Sequence, residues 1–240
     1  MAVEVLEQLY EGKAKKVFKT SDDALYMVEY KDDATAFNGE KRGTIEGKGV
    51  INNKMSAMLF KELEKQGIET HLVEFVDDTH QLVKRVEIVP LEVIARNVIA
   101  GSLSKRVGRP EGEVLPQPIL EFSYKNDDLG DPMINRFHAT ALGLATDEEI
   151  DNIIARALKI NELLQAIFDK ANLVLVDFKL EFGRTPDGKI ILADEISPDT
   201  CRLWDKDTHE KLDKDRFRRD LGGVEEAYIE VYNRLKNIGL

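Results

Sequence analysis

Residues 173–204, LVLVDFKLEFGRTPDGKIILADEISPDTCRLW, decide how this chain is read. In the first half, Asp177, Lys179 and Glu181 alternate with Val176, Phe178, Leu180 and Phe182. Strand side chains switch faces at every residue. The pattern therefore predicts a strand with one wholly apolar face and a row of carboxylate, ammonium and carboxylate on the other. Pro186-Asp187-Gly188 is a turn sequence, and residues 189–196 predict a returning strand with Asp194 and Glu195 near its far end. A charged row backed by an apolar face is costly unless it meets water, a metal or a ligand. The alternative, a solvated salt-bridge ladder, sits poorly with the flanking Leu173, Leu175, Ile190 and Leu192. The expected structure is the floor of a site.

Around this pair, residues 9–19 and 25–30 read as short strands, the first interrupted at Gly12 and Lys13. Residues 49–67 read as a helix whose stripe is Ile51, Met55, Met58, Leu59 and Leu63, stopped by Gly67. Residues 71–76 and 81–89 form a hairpin pattern around Asp77-Asp78-Thr79. Pro90 follows, then a strand over 91–98. Residues 101–132 hold Pro110, Pro116, Pro118 and Pro132 with Gly108, Gly112 and Gly130, the composition of a long functional loop or lid, or of a plain surface loop. Thr146 and Glu149 form a capping box that opens a long helix. Its apolar face is Ile150, Ile153, Ile154, Ala157, Leu158, Leu164, Ile167 and Phe168. A last amphipathic helix follows Gly222-Gly223. Antiparallel-looking strand clusters with separated helices imply an α+β fold. A composition shift at 86–90 places the expected boundary between lobes 1–88 and 89–240.

The 240 residues carry a formal charge of −11, which argues against a broad nucleic-acid surface. Basic residues are better read as local anion clamps. A single cysteine, Cys201, forbids an intrachain disulfide and fits a reducing compartment; a buried, inert thiol is the expectation for it. Glu4, Glu7 and Gln8 break the start of the chain, which lacks the apolar core of a signal peptide, and no apolar run reaches membrane-spanning length. The expected location is the cytoplasm, with no membrane partner. His71, His80, His138 and His209 have no metal-ligand spacing. Gly47-Lys48-Gly49 lacks the spacing of a phosphate-binding P-loop, and no serine sits in a nucleophile elbow.

Three groups of residues point to chemistry. In Tyr10-Glu11-Gly12-Lys13-Ala14-Lys15, the glycine permits close backbone approach, and two lysines on one side of a strand can grip a polyphosphate or merely protect a sheet edge. Arg96, in an apolar run, requires an anion: a ligand group, or Glu92 on the same strand face. Gly101-Ser102 offers N–H groups and a hydroxyl to such an anion. Glu181 and Asp194 place carboxylates on paired strands, an oxygen set suited to Mg²⁺ shared with substrate phosphates. Arg202, close after Ser197-Pro198 and Asp199, is a further anion clamp.

VPLEVIARNVIAGS (89–102), LVDFKLEFG (175–183) and DEISPDTCRLWD (194–205) together resemble the phosphoribosylaminoimidazole-succinocarboxamide synthases, the SAICAR synthetases. YEGKAK near the start, NNK at 52–54, KNDDLGDP at 125–132 and DKDRFRRDLGG at 213–223 extend the resemblance end to end, in order and spacing. The compact length is similar to that of the single-function bacterial form; Thr200-Cys201 departs from the family's Gly-Ser or Gly-Thr.

The resemblance implies two α+β lobes with an ATP cleft between them, distantly similar to protein kinases and ATP-grasp proteins. It implies that ATP, carboxyaminoimidazole ribonucleotide (CAIR) and L-aspartate give the succinocarboxamide product, ADP and phosphate, in a homodimer using Mg²⁺. Gly12, Lys13 and Lys15 then belong to a flap over the ATP phosphates, and Lys84 and Val86 to the segment beside adenine. Glu181 and Asp194 match metal and nucleotide carboxylates. Arg96, Ser102 and Arg202 match contacts to the ribonucleotide, and Lys125 and Arg218 to L-aspartate. Asp177 and Lys179 match the catalytic pair beside the reacting carboxylate. A small-molecule kinase or a non-catalytic nucleotide-binding module are the rival readings.

Overall fold

A computed structural model describes residues 3–36 and 39–240. The chain opens with three antiparallel strands, β1 (Val5–Glu11), β2 (Lys15–Thr20) and β3 (Leu25–Tyr30), followed by a small hairpin, β4 (Asp33–Ala36) and β5 (Lys41–Thr44). The run over 9–19 is thus two strands rather than one. Gly12 donates its N–H to Lys15 O at 2.8 Å and turns the chain. Lys13 lies in the turn and Lys15 opens β2, so the two lysines do not project from one side of a single strand.

Helix α1 (Lys48–Lys65) follows, with Asp32 accepting from the Gly47 and Gly49 N–H groups at its start. Strands β6 (Leu72–Phe75) and β7 (His80–Lys84) form the hairpin expected around residues 77–79, its second strand ending at Lys84 instead of 89, and complete a five-stranded sheet in the order β1-β2-β3-β7-β6.

The second sheet is built on β8 (Glu87–Val98), which runs straight through Pro90 instead of starting after it. The proline sits where pairing with the next strand over slips, so no ladder N–H is missed. Helix α2 (Gly101–Val107) and β9 (Val114–Tyr124) occupy most of the stretch expected to be a functional loop or lid, or a plain surface loop. Pro116 and Pro118 misled that reading. They fall between the Arg96↔Ile119 and Val98↔Val114 pairs, where the ladder with β8 is irregular and tolerates residues without an N–H.

After β10 (Met133–Ile134) and α3 (Arg136–Ala141), helix α4 (Asp147–Lys170) starts at the expected capping box. Thr146 Oγ1 accepts from Glu149 N at 3.1 Å, and Glu149 Oε2 from Thr146 N at 2.8 Å.

Strand β11 (Leu173–Arg184) pairs with β8 along one edge. Its other edge is shared by β12 (Ile190–Ala193) and β13 (Cys201–Asp205). A bulge against β13 lies between Leu175 and Asp177. It adds a residue and reverses the alternation. Leu173 and Leu175 therefore join Phe178, Leu180 and Phe182 in the main core, while Val176 packs with Val98, Ala100 and Trp204 in a separate cluster. The apolar face is not one unbroken row. Short helix α5 (Asp215–Arg218) and α6 (Val224–Asn237) end the chain.

One core spans α1, α4, α6 and the second sheet, with Met55, Phe60, Ile153, Leu164, Phe178 and Val231 fully buried or nearly so. The sheets are also joined by backbone. His71 N donates to Leu192 O at 2.8 Å and Leu192 N to Glu69 O at 3.0 Å. Helix α4 is pinned to the sheet by a buried amide pair, Asn161 and Asn97, with reciprocal bonds of 2.8 and 2.9 Å. Asn97 Nδ2 also donates to Leu175 O at 3.1 Å, beside the bulge. Asn161→Ala leaves the Asn97 amide partly unsatisfied, and should cost about 1–3 kcal/mol of unfolding free energy in urea titration. An unchanged midpoint and slope would show that the pair does not anchor α4.

Candidate active site

The two sheets enclose a cavity of about 540 Å³. The first sheet contributes an apolar wall of Val17, Tyr26, Val28, Tyr30 and Val83. Lys84, Val86 and Ile88, where β7 passes to β8, form its edge. Gly183 on β11 makes that edge possible, because a Cβ there would fall 2.4 Å from Val86 Cγ2. The floor carries Glu92, Lys179, Glu181 and Asp194. Among the described residues, seven cationic and seven anionic side chains line the cavity, so its charge is locally balanced although the chain is acidic.

Alternation on β11 delivers Lys179 and Glu181 to the same face, and the pairing of Glu181 with Ala193 brings the end of β12 alongside. The Lys179 ammonium lies 2.6 Å from Glu181 Oε1, 3.2 Å from Glu92 Oε1 and 3.3 Å from Asp194 Oδ2. Lys125 Nζ donates to the same Glu181 oxygen at 3.0 Å. Lys15 donates to Asp194 Oδ1 and lies 3.1 Å from Glu195 Oε1. The returning strand stops at Ala193, short of the expected residue 196, and Asp194 follows it with φ of 60°, a left-handed conformation unusual for a non-glycine residue and of the kind that collects at functional sites.

Burial disfavours charge at these positions, but the partners overcome it. Glu181, Asp194 and Glu92 hold the Lys179 pKa well above the ordinary lysine value. Burial likewise opposes charge on Lys15, which Asp194 and Glu195 nevertheless raise. Burial also works against the Asp194 carboxylate, yet Lys15 and Lys179 depress its pKa. Lys179 is therefore a fixed cation rather than a proton acceptor at neutral pH. His71 on the cavity wall is pushed down to about 4 by burial and by Lys15, so its ring is neutral there. At the mouth, Lys13 bonds Asp127 at 2.6 Å and ties the Gly12 turn to the 127–129 turn.

A second constellation surrounds Asp177. Arg96 donates to Asp177 Oδ2 at 2.8 Å and to Glu121 Oε2 at 2.6 Å. Glu121, not Glu92, is its partner, because the β8–β9 pairing brings Glu121 beside it while Glu92 turns to Lys179. Arg202 donates to Asp177 at 3.0 Å and to Asp215 Oδ2 at 3.0 Å. Ser102 Oγ is 3.4 Å from Arg96 Nη2. Gly101 has φ of 54°, and a Cβ there would lie 2.6 Å from the Arg202 guanidinium. Asp177 is thus engaged by two arginines from the neighbouring strands β8 and β13 instead of by Lys179, and it does not line the cavity. Gly12, Lys13, Lys15, Lys84, Val86, Lys125, Lys179, Glu181, Asp194 and Arg218 do; Arg96, Ser102 and Arg202 gather around Asp177.

Several participants escape a reading of sequence. Glu92 has the parity to share a face with Arg96, but only the pairing of β8 with β11 shows that it turns to Lys179. Glu195 meets Lys15 across a gap of 180 residues. Lys48 is wholly buried against Asp199 at 2.9 Å, and Tyr228 from α6 donates to the same aspartate at 2.6 Å. No local pattern announces these contacts.

A family model described as SAICAR synthetase matches residues 8–235. A phosphoribosylaminoimidazole-succinocarboxamide synthase of Lachnoclostridium phytofermentans is 65% identical, over 96% of this chain and 97% of that protein. The crystal structure of the corresponding Ehrlichia chaffeensis synthase superposes with a TM-score of 0.94 at 45% identity, covering 96% of this chain and 98% of the other. A SAICAR synthetase in complex with ADP gives 0.93 at 51% identity, with the same coverage. With the fold, the charged floor and the arginine cluster in their places, the chain belongs to the SAICAR synthetase family.

Proposed function

We propose that the cavity holds ATP and that the reaction joins L-aspartate to the carboxylate of CAIR, giving SAICAR, ADP and phosphate. One observation carries the reading of the site: Lys179 stands among Glu92, Glu181 and Asp194 beneath an apolar wall large enough for a purine. The similar synthetase bound to ADP supports a nucleotide in this fold. In this reading adenine lies against Val17, Val28 and Val83 beside Lys84 and Val86, within the lobe of residues 1–88. The phosphates run toward Gly12, Lys13 and Lys15. Residues 89–240 supply the substrate and metal groups. Glu181 and Asp194 offer hard carboxylate oxygens of the type Mg²⁺ takes, and the Lys179 and Lys15 ammoniums now neutralise those same oxygens. Bound magnesium would neutralise charge on the phosphates.

Arg96, Ser102 and Arg202 are assigned to the ribonucleotide, including its phosphate. Asp177 holds the two arginines in register, a positioning role that its burial between them favours over proton transfer. Lys125 and Arg218 are assigned to L-aspartate. A cytoplasmic location and a homodimeric assembly complete the reading; the resemblance implies the assembly.

A carboxylate is a poor acyl donor because its leaving oxygen is too basic. The γ-phosphoryl group passes from ATP to a CAIR carboxylate oxygen, and ADP departs. The aspartate amine then attacks the acyl carbon, the bond from carbon to the phosphate oxygen breaks, phosphate leaves, and the nitrogen loses a proton. Lys179, a permanent cation, stabilises charge on the transferring phosphoryl oxygens or on the acyl carboxylate. The Gly12 turn, tied to Asp127, shields the acyl phosphate from water.

Incubation with Mg-ATP and CAIR, with and without L-aspartate, tests the whole. Product that depends on aspartate supports the ligase. ADP with a stable phosphorylated acceptor would instead identify a kinase, and no turnover a binding module. Lys179→Ala should lower kcat by on the order of 10²- to 10³-fold or more while the circular dichroism spectrum is preserved. Near-normal kcat would remove Lys179 from the chemistry. Asp194→Asn should raise the Mg²⁺ concentration for half-maximal rate, or the KM for ATP, by roughly 10-fold. Unchanged values would reject Asp194 as a metal or nucleotide ligand.

A further inference from the structure

Lys214 immediately precedes α5, its backbone N–H bonded to Pro198 O at 3.2 Å. Its side chain is 13% exposed, and it lines the cavity. Among the described residues, its ammonium comes within salt-bridge range of one carboxylate, Asp199 Oδ2 at 3.7 Å, too far for a hydrogen bond. Asp199 is already occupied: Lys48 bonds it at 2.9 Å and the Tyr228 hydroxyl at 2.6 Å. Arg218, the other cation of this end of the cavity, donates to Asp215 Oδ1 at 2.6 Å. Burial, together with Arg218 and Lys48, disfavours charge on Lys214 more than Asp199 favours it. A buried ammonium without a hydrogen-bonded counter-ion is expensive unless a ligand supplies one.

The position fits an anion other than the polyphosphate. Lys13 and Lys15, assigned to the ATP phosphates, pair with Asp127 and with Asp194 and Glu195, whereas Lys214 belongs to the group around Asp199. That group nevertheless adjoins the reacting centre, since the Lys179 N–H donates to Thr200 O at 2.9 Å, at the end of the turn that carries Asp199. We propose that Lys214 is a specificity-determining residue for the amino-acid substrate, its ammonium pairing with a carboxylate of L-aspartate. The proposal rests on the ligase reading and gives a role to Lys214, which lies in the DKDRFRRDLGG block but is assigned none there. Lys214 lines the cavity with Lys125 and Arg218, the cations already assigned to aspartate, and it lies one helical turn before Arg218, whose N–H bonds Lys214 O at 2.9 Å.

The test is steady-state kinetics of Lys214→Met and Lys214→Arg with each substrate varied in turn. Lys214→Met should raise the KM for L-aspartate by roughly 10- to 100-fold, the worth of a charged hydrogen bond. The KM values for ATP and CAIR should stay within about twofold, and Lys214→Arg should recover part of the loss. The rise in Tm on adding ADP, measured on the same variant, should match that of the parent chain and shows that the nucleotide site is intact. An unchanged KM for aspartate, or an equal rise for ATP or CAIR, would overturn the assignment. If Lys214→Met does not fold, Lys214→Arg decides alone: a KM change confined to aspartate sustains the proposal, and none rejects it. Failure of the parent chain to make the aspartate-dependent product would instead count against the ligase reading.

Discussion

The Lys179 ammonium sits among the carboxylates of Glu92, Glu181 and Asp194, and the geometry of the cavity follows from that contact. Glu92 lies on β8, Glu181 on β11 and Asp194 just past β12, so the cation ties these three segments together at one point. Each would be costly to bury alone. A buried ion pair of this kind does more for register than for stability, because desolvation consumes much of the Coulombic gain. Here it joins the polar faces of β8 and β11 to Asp194, which has a left-handed φ of 60°.

The balance of charge in the cavity has a functional reading. Without ligands, every acid of the floor has a lysine partner. In the proposed reading, phosphates draw on the same lysines and a metal ion on the same acids. Binding can therefore exchange partners within a preorganised set instead of creating new charge in a dry space. An acidic chain with a formal charge of −11 can in this way bind anionic substrates, because the local field is set by a few converging cations.

A similar economy governs the arginine cluster. Arg96 and Arg202 come from strands on opposite edges of β11, and Asp177 bridges them. The bulge beside Asp177 matters for this. It reverses the alternation of apolar side chains, so that Leu173 and Leu175 still reach the main core while Asp177 stays on the polar face with Lys179 and Glu181. One inserted residue lets a single strand take part in two charged clusters.

By itself the sequence determined the α+β class, the capped long helix, the hairpin of 173–196 and the charged row on its inner face, because each depends on local periodicity, capping or turn chemistry. Resemblance at scattered motifs supplied the reaction. Composition misled at 101–132, where Pro116 and Pro118 suggested a loop: a proline's effect depends on whether its position owes a hydrogen bond, and that is set by the neighbouring strand. Only the tertiary structure decided which charges meet. Glu92 with Lys179, Glu195 with Lys15, Asp177 with both arginines and Lys48 with Asp199 are contacts between residues distant in the chain. Their energy depends on separation in space and on burial, and neither quantity exists until the sheets have packed.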